Sequence, residues 1–570
     1  MRLRRVQIER FRGIKQLEWD VGGDFLCLIG PGDSTKTTIL DAIERALSPW
    51  WNVTFDDADF YEAKTEDPLS ITVTVGDLPD ELKSDAKYGL LARGWSPTGE
   101  LHDEPQDGDE LVLSIRLQVG ASLEPSWTVI NDRQPEGRAI GAPDRERLGC
   151  TRLGDFLDRH FAWGRGSILS RLTGEGEGLS GMLAEAGRAA RAKLDNIGAD
   201  DLPALRAAAE NVKKVGAALG VAPRTEYRPH LDVRAVAVGE GGLSLHDGDV
   251  PVRRAGLGSR RLLAVAMQRE VAKVRGLTLI DEIEHALEPH RIRRLLQVLR
   301  QATESESCRH VLMTTHAPVV LEALEAGQLR VVRSKDGVTK VIAVPGALQP
   351  IVRKASEALL ARKVLVCEGR TELGFCRCLD QQWAQTGPSF GLAGVALADG
   401  GGTGAPKVAQ AFAQLGYSVA LLGDSDKPLQ PDEAVLTSAG VHVLLWDDGV
   451  SLEQRIALDL PWTGVAAVVE LAMNNWGDQS VRDAIRTRIG RKGDRLNGSP
   501  ADWPQQIPEQ DLRNAIGLAA KAASNGRGWF KRVDLAEEVA GIVLQHRDAI
   551  RDTDLGRKIA ALQEWAHGDR

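Results

Sequence analysis

Apolar and polar positions change period several times along the chain, and each change marks a new element. Leu3–Phe11 alternates in the manner of an edge strand, and Arg12-Gly13-Ile14 turns it back. Phe25–Ile29 is a continuous apolar run, as a buried strand requires, and Thr38–Ile43 after it reads as a helix. Ile71, Val73 and Val75 alternate with polar residues, as do Leu113, Ile115, Leu117 and Val119, which predicts strands of an antiparallel sheet. Pro97, Gly99, Pro105 and Gly108 mark the loops between them. From Leu153 the period becomes helical, with Leu153, Phe156, Leu157, His160 and Phe161 on one face. The Ala-rich stretch from Met182 to Leu219 continues as helices broken near Gly198 and Pro203. This helical insert, over 150–225, is either a compact dimerisation element or a lid.

Further on, apolar runs of strand length recur at Leu277–Ile280, Val311–Thr314, Val364–Cys367, Val419–Leu422 and Val441–Leu445. Two short strands around Lys335-Asp336-Gly337 close a first unit, residues 1–345. A linker helix over 346–362 leads to a second unit, 363–570. Strands there alternate with helices at Leu373–Trp383 and Val408–Gln414, the pattern of a doubly wound parallel sheet, followed by helical additions. The fold class is therefore α/β.

Two chemistries sit on this frame. The run Phe25–Ile29 feeds Gly30-Pro31-Gly32-Asp33-Ser34-Thr35-Lys36-Thr37-Thr38 and then a helix, the strand–loop–helix context of a phosphate-binding P-loop. Backbone N–H groups at the helix start would wrap phosphates, with Lys36 reaching the β/γ oxygens and Thr37 holding Mg²⁺. One position departs from the pattern: Thr35 stands where glycine normally precedes the lysine. Asp281-Glu282 ends a later apolar strand, as a Walker B segment does; Asp281 would hold the Mg²⁺ shell and Glu282 would orient the attacking water. Gly256-Leu257-Gly258-Ser259-Arg260-Arg261 opens a helix with small residues, an anion-binding end able to cap a γ-phosphate from a second subunit. His316 ends another strand beside the phosphates.

The second chemistry is acidic. Glu368, with Glu372 four residues on, and Asp424 with Asp426 all follow strand ends, where doubly wound sheets bind ligands. Converging carboxylates cannot all stay ionised without cations, and oxygen donors favour Mg²⁺ or Mn²⁺. The Gly-rich run Asp399–Lys407 lacks Lys-Ser/Thr at its helix start and contains Pro406, so it reads as a turn. Arg482, Arg486, Arg488, Arg491, Lys492 and Arg495 form the clearest basic cluster, either a phosphate-gripping surface for DNA or solvated surface.

Composition narrows the picture. With 570 residues, 43% hydrophobic and 26% charged, the chain can bury several cores. A net charge of -9 excludes a protein that coats nucleic acid with a uniformly basic surface. The six cysteines include no CxxC pair, which predicts neither zinc nor disulfides and a reducing compartment. The N-terminus has no apolar signal core and no apolar run reaches 18 residues, so a cytoplasmic protein without membrane contact is expected.

Taken in order, Phe11-Arg12-Gly13-Ile14, the P-loop, Gly256–Arg261, Asp281–His290 and Thr315-His316-Ala317-Pro318 resemble the ABC-type ATPase of the OLD (overcome lysogenization defect) family. Glu368-Gly369-Arg370-Thr371-Glu372 followed by Asp424-Ser425-Asp426 resembles a Toprim domain, and the two together are the layout of OLD-family nucleases. The resemblance implies ATP with Mg²⁺ bound at a homodimer interface, with Ser259 acting in trans. It also implies two Mg²⁺ or Mn²⁺ ions held by Glu368, Glu372, Asp424, Asp426 and Glu453 for DNA phosphodiester hydrolysis, and Lys531 as a late lysine stabilising transition-state charge. A role in phage defence or DNA processing and a separately encoded helicase partner are further implications. Thr35 and the Leu-Gly-Ser-Arg-Arg signature depart from the family pattern and bear on ATP turnover. Two other classes compete: an ATP-driven DNA-binding protein of the RecF or SMC kind, and a Toprim topoisomerase or primase. A topoisomerase needs a tyrosine nucleophile, and Tyr61, Tyr88, Tyr227 and Tyr417 are the four tyrosines.

Overall fold

The computed structural model describes all residues except 33, 51, 154–156, 164–166, 174–181, 184, 187, 190–202, 219–220, 222, 228–242, 272–275, 305–309, 388, 491–495, 522–527 and 569–570. Parts of the helical insert, and Asp33, therefore lie outside the described residues, although the helix Pro203–Ala218 is defined.

A 14-stranded sheet fills the N-terminal half. Its parallel part runs Cys150–Leu153, Leu277–Ile280, His310–Thr314, Phe25–Ile29 and Leu329–Lys335. Phe25–Ile29 is buried at every position because strands flank it on both sides and side chains cover both faces. The rest is largely antiparallel and packs on the helix Lys36–Leu47, whose Ile39, Leu40 and Ile43 share one core with Ile71, Val73, Leu113, Ile115 and Leu117. Arg2–Phe11 is not at an edge: it pairs with Ile14–Asp20 on one side and Leu69–Gly76 on the other. Its alternation reports a sheet with one well-packed face, which an interior antiparallel strand shows as readily as an edge strand.

The C-terminal half holds a four-stranded parallel sheet in the order Val395–Asp399, Lys363–Cys367, Ser418–Gly423, Val441–Leu445. Alternate residues feed two cores. Leu365, Cys367, Ala420 and Leu422 pack on the helices Arg370–Thr386, Leu452–Asp459, Trp462–Trp476, Glu509–Lys521 and Val533–Gln545. Val364, Val366, Val419 and Leu421 face the helix Ala405–Gln414 and share one apolar core with Val331 of the N-terminal half and with Leu348 and Val352 of the linker. The linker expected as one helix is three short helical pieces, Gly346–Leu348, Gln349–Lys354 and Ser356–Leu359, and it breaks at Ala355, which leaves helical geometry at φ -148°, ψ 46°. No described helix is long and apolar enough to cross a membrane.

Candidate functional site

At the end of Phe25–Ile29 the chain turns through Gly30. Its φ is 146°, and a Cβ at this position would stand 2.7 Å from the Val332 carbonyl oxygen, so no side chain is admitted. Lys36 is buried and its Nζ donates to the carbonyl oxygens of Gly30 (3.1 Å) and Pro31 (2.9 Å) and to Ser34 Oγ (3.0 Å). The lysine thus lies in the loop it would share with phosphates. Thr35 adopts the left-handed conformation (φ 66°, ψ 14°), which a β-branched residue enters at a cost. Its hydroxyl donates to the Ser34 carbonyl at 2.6 Å, and its methyl lies against Gly13.

Thr37 and Asp281 come together: the Thr37 hydroxyl donates to Asp281 Oδ1 at 3.2 Å, and Thr314 donates to the same oxygen at 2.7 Å. Arg152, which nothing in the sequence pattern singles out, donates to Asp281 Oδ2 at 2.9 Å and also pairs with Asp41 and Glu44. Its guanidinium stands beside the position expected to hold magnesium. Glu282 is exposed, has a left-handed φ of 44°, and stands 3.7 Å from His285. Arg261, expected in an interface turn, is buried and donates to the backbone carbonyls of Asp281 and Glu282 within the same chain. Ser259, on the first turn of the helix Leu257–Val271, is exposed, as is His316. Glu284 fixes the turn carrying His316 by accepting from the His316 N–H (2.6 Å) and the Thr315 hydroxyl (2.7 Å). Thr38 is half-buried in the first turn of its helix, and Gly32 is exposed on the loop.

The second site lies where the parallel sheet reverses its winding. Lys363–Cys367 and Ser418–Gly423 are neighbours, while the helices that follow and precede them, Arg370–Thr386 and Ala405–Gln414, cover opposite faces. That leaves a crevice at the carboxyl ends of the two strands. Glu368 and Asp424 follow those strands. Glu368 Oε2 accepts from the Asp424 N–H at 2.8 Å, and position 423 suits glycine because a Cβ there would stand 2.9 Å from that oxygen. Asp424 Oδ1 accepts from the Leu452 N–H at 2.9 Å, which ties it to the helix carrying Glu453. Glu372 caps its own helix through the Gly369 N–H at 2.9 Å, and Thr371 donates to Glu453 at 3.4 Å. Glu372 and Glu453 are buried.

These acids repel one another. Burial, then the charge of Glu453, with Glu368 and Asp426 adding to it, pushes Asp424 up to about 8. Burial, then Asp424, Glu453 and Glu368, raises Glu372 well above the ordinary carboxylate range. Among the described residues no group of three or more His, Cys, Asp or Glu side chains is placed to hold a metal ion. The acids are instead turned onto backbone N–H groups, a hydroxyl or a cation, and Lys521 forms an ion pair with Asp426. Lys531 is exposed and bonds to none of the acids; Lys521 ends a helix whose amphipathic period gives no sign of this pairing. A cavity of about 470 Å³ opens in front of Glu368, Asp424 and Asp426, with Thr403, Lys407 and Lys427 on its other walls. The Gly-rich run is a turn, as expected, and it forms one of these walls.

The described members of the basic cluster bond within the fold. Arg482 binds Asp478 and the Gly498 carbonyl, and Arg486 binds Asp483 and the Leu496 carbonyl. Arg491, Lys492 and Arg495 lie outside the described residues. Tyr417 is buried at the opposite end of the strand that delivers Asp424, and Tyr88 is bonded to Asp144 in the N-terminal half, so neither stands as a nucleophile beside the acids.

The N-terminal half thus carries a strand–loop–helix of phosphate-loop form on a mixed sheet, and the C-terminal half a parallel sheet with an acidic crevice. Residues 220–322 match the family model described as "AAA domain, putative AbiEii toxin, Type IV TA system". No curated protein matches the chain. Solved structures similar to it include an SmcHead bound to the C-winged helix domain of ScpA, at 15% identity and TM-score 0.32, covering 60% of this chain and 97% of that one. The SMC head domain from Thermotoga maritima is similar at 13% identity and TM-score 0.28, over 60% of this chain and 100% of that one. An Smc head domain with an extended coiled coil, bound to the C-terminal domain of ScpA derived from Pyrococcus furiosus, gives 14% and 0.34 over 60% and 96%.

Proposed function

We propose that this chain is an ATP-regulated, divalent-metal-dependent DNA endonuclease with the OLD-family layout, an ABC-type ATPase followed by a Toprim domain. The observation that supports it is the crevice lined by Glu368, Asp424 and Asp426, with the buried Glu453 and Glu372 close enough to interact electrostatically with Asp424, which is pushed up to about 8. Carboxylates that repel one another are hard oxygen donors of the kind that Mg²⁺ or Mn²⁺ takes, and a bound cation would relieve the repulsion. When bound, two such ions supply an activated water and charge stabilisation at the leaving oxygen.

The chain's own residues do the rest. Glu368 and Asp424 are held by backbone N–H groups, which fixes the direction of their free oxygens. Lys521 balances charge at Asp426, and Lys407 and Lys427 line the cavity, where they would attract the phosphates of a DNA strand. In the ATPase half, Ser34 and Lys36 would hold the phosphates of ATP, Thr37 and Asp281 would hold Mg²⁺ and its shell, and Glu282 would orient water. Ser259 and its exposed turn would meet a second copy in a homodimer.

Plasmid incubated with the protein and Mg²⁺ or Mn²⁺ tests the reading. Nicking by the wild type and its loss in Asp424→Ala is expected, and equal nicking by both overturns it. The family-model match supports the ATPase half alone and suits equally an ATP-driven DNA-binding protein of the RecF or SMC kind. Such a protein would keep its DNA binding and ATP response in Asp424→Ala and would cut nothing.

A further inference from the structure

A second cavity, of about 340 Å³, lies between the phosphate loop and the start of the C-terminal sheet. One wall is Pro31 and Gly32; the other is Glu357, Leu360, Arg362 and Gly394, from the linker and the sheet's amino-terminal edge. Lys36, the residue that reaches the β/γ end of a bound nucleotide, is anchored on the Pro31 carbonyl. The terminal-phosphate end of the loop is therefore the end that adjoins this cavity. Arg362 is exposed there and its guanidinium bonds to no described residue. Its aliphatic stem lies on Gly394, where an added Cβ would stand 3.1 Å from the Arg362 Cδ. The backbone N–H groups of Arg362 and Lys363 both donate to the Gly394 carbonyl, at 2.9 and 3.1 Å, so the backbone under the arginine is fixed.

We propose that Arg362 is a phosphate contact supplied in cis by the C-terminal half, one that distinguishes a nucleoside triphosphate from a diphosphate. The proposal rests on the reading of Gly30–Thr38 as an ATP site. A guanidinium is suited to this because its planar fork binds phosphate oxygens in pairs. The position also matters: Arg362 immediately precedes the strand Lys363–Cys367, and Glu368 follows that strand's far end. A contact with the terminal phosphate would pull directly on the strand that carries an acid of the other site. Glu357 on the same wall opposes it, since its carboxylate disfavours an incoming phosphate.

Binding of ATP and ADP, each with Mg²⁺, is measured by titration calorimetry on the full chain. Arg362→Ala is expected to weaken ATP about tenfold, as loss of one charge-assisted contact would, with ADP changed far less. Arg362→Lys should restore part of the loss, and Glu357→Gln should tighten ATP. Thermal denaturation of each variant confirms folding, and Arg362→Gln replaces the alanine variant if that one unfolds. Unchanged ATP affinity, or an equal loss for ATP and ADP, overturns the role of Arg362. Failure of the wild type to bind either nucleotide overturns the ATP-site reading beneath it.

Discussion

Thr35 carries the clearest residue-scale strain. It holds a left-handed φ of 66° at a position where a glycine would meet no penalty. Thr35→Gly should stabilise the protein by about 1 kcal/mol and raise ATP affinity, because the loop no longer has to fit a methyl and a hydroxyl. Thermal denaturation and nucleotide titration check both effects, and a less stable, weaker-binding variant would show that Thr35's bond to Ser34 outweighs the strain. Asp424 gives a pH prediction. Its carboxyl titrates at about 8 in the fold and at about 4 when unfolded, so folding favours its protonated form. That contribution is full below pH ~4 and is lost as pH rises towards 8. The metal-free protein should lose roughly 1 °C of Tm for each kcal/mol given up across that window. Asp424→Asn should flatten the fall, and Mg²⁺ should reduce it; a Tm profile in metal-free buffer that is identical for wild type and variant would refute this account.

At the scale of elements, the acids on strand ends are legible because a buried parallel strand has one signature, an unbroken apolar run, and its carboxyl end is fixed by direction. The loop before Lys36 is legible for the same reason. What the sequence hides is the set of partners brought by long-range packing. Arg152 and Lys521 lie on elements whose local pattern says nothing of what faces them, and only the assembled sheet and helical layer put them on Asp281 and Asp426. Alternation in Arg2–Phe11 likewise reports a buried face, not the number of neighbours. The linker breaks at Ala355, within a stretch whose apolar positions fit one helix. Gly258 shows how an element boundary can be tested: a Cβ there would collide with the Ala286 backbone carbonyl. Gly258→Ala should therefore cost about 1–3 kcal/mol, read as a lower Tm, by driving the helix Leu257–Val271 off the turn after Glu282. An unchanged Tm would mean that this turn shifts freely.

At the scale of the whole molecule, the two chemistries are joined by one apolar core, and a polar contact crosses it. Arg333, on the strand next to Phe25–Ile29, stacks on the Tyr417 ring at 3.8 Å. The Tyr417 hydroxyl donates to the Leu359 carbonyl at 2.6 Å, and Tyr417 leads into the strand that ends before Asp424. Burial lowers the Arg333 pKa, so its charge is held at some cost, with the aromatic face as its main compensation. A shift of the strand Leu329–Lys335 on nucleotide binding would thus be felt at Tyr417, one strand length from the acids. Arg333→Met keeps the apolar stem and removes the cation. On the proposed nuclease reading it should leave nucleotide-free plasmid cleavage within a factor of about 2 of wild type, since a lost cation–π contact is worth only ~0.5–2 kcal/mol of stability and touches no acid. The ratio of cleavage with and without ATP should move towards one. Tyr417→Phe separates the two contacts: it keeps the ring for Arg333 and leaves the Leu359 carbonyl without its donor, so it should lower Tm yet preserve most of the ATP response. If Arg333→Met retains the full ATP response, the signal does not cross at this contact, and the strand behind Arg362 is left as the route between the two sites.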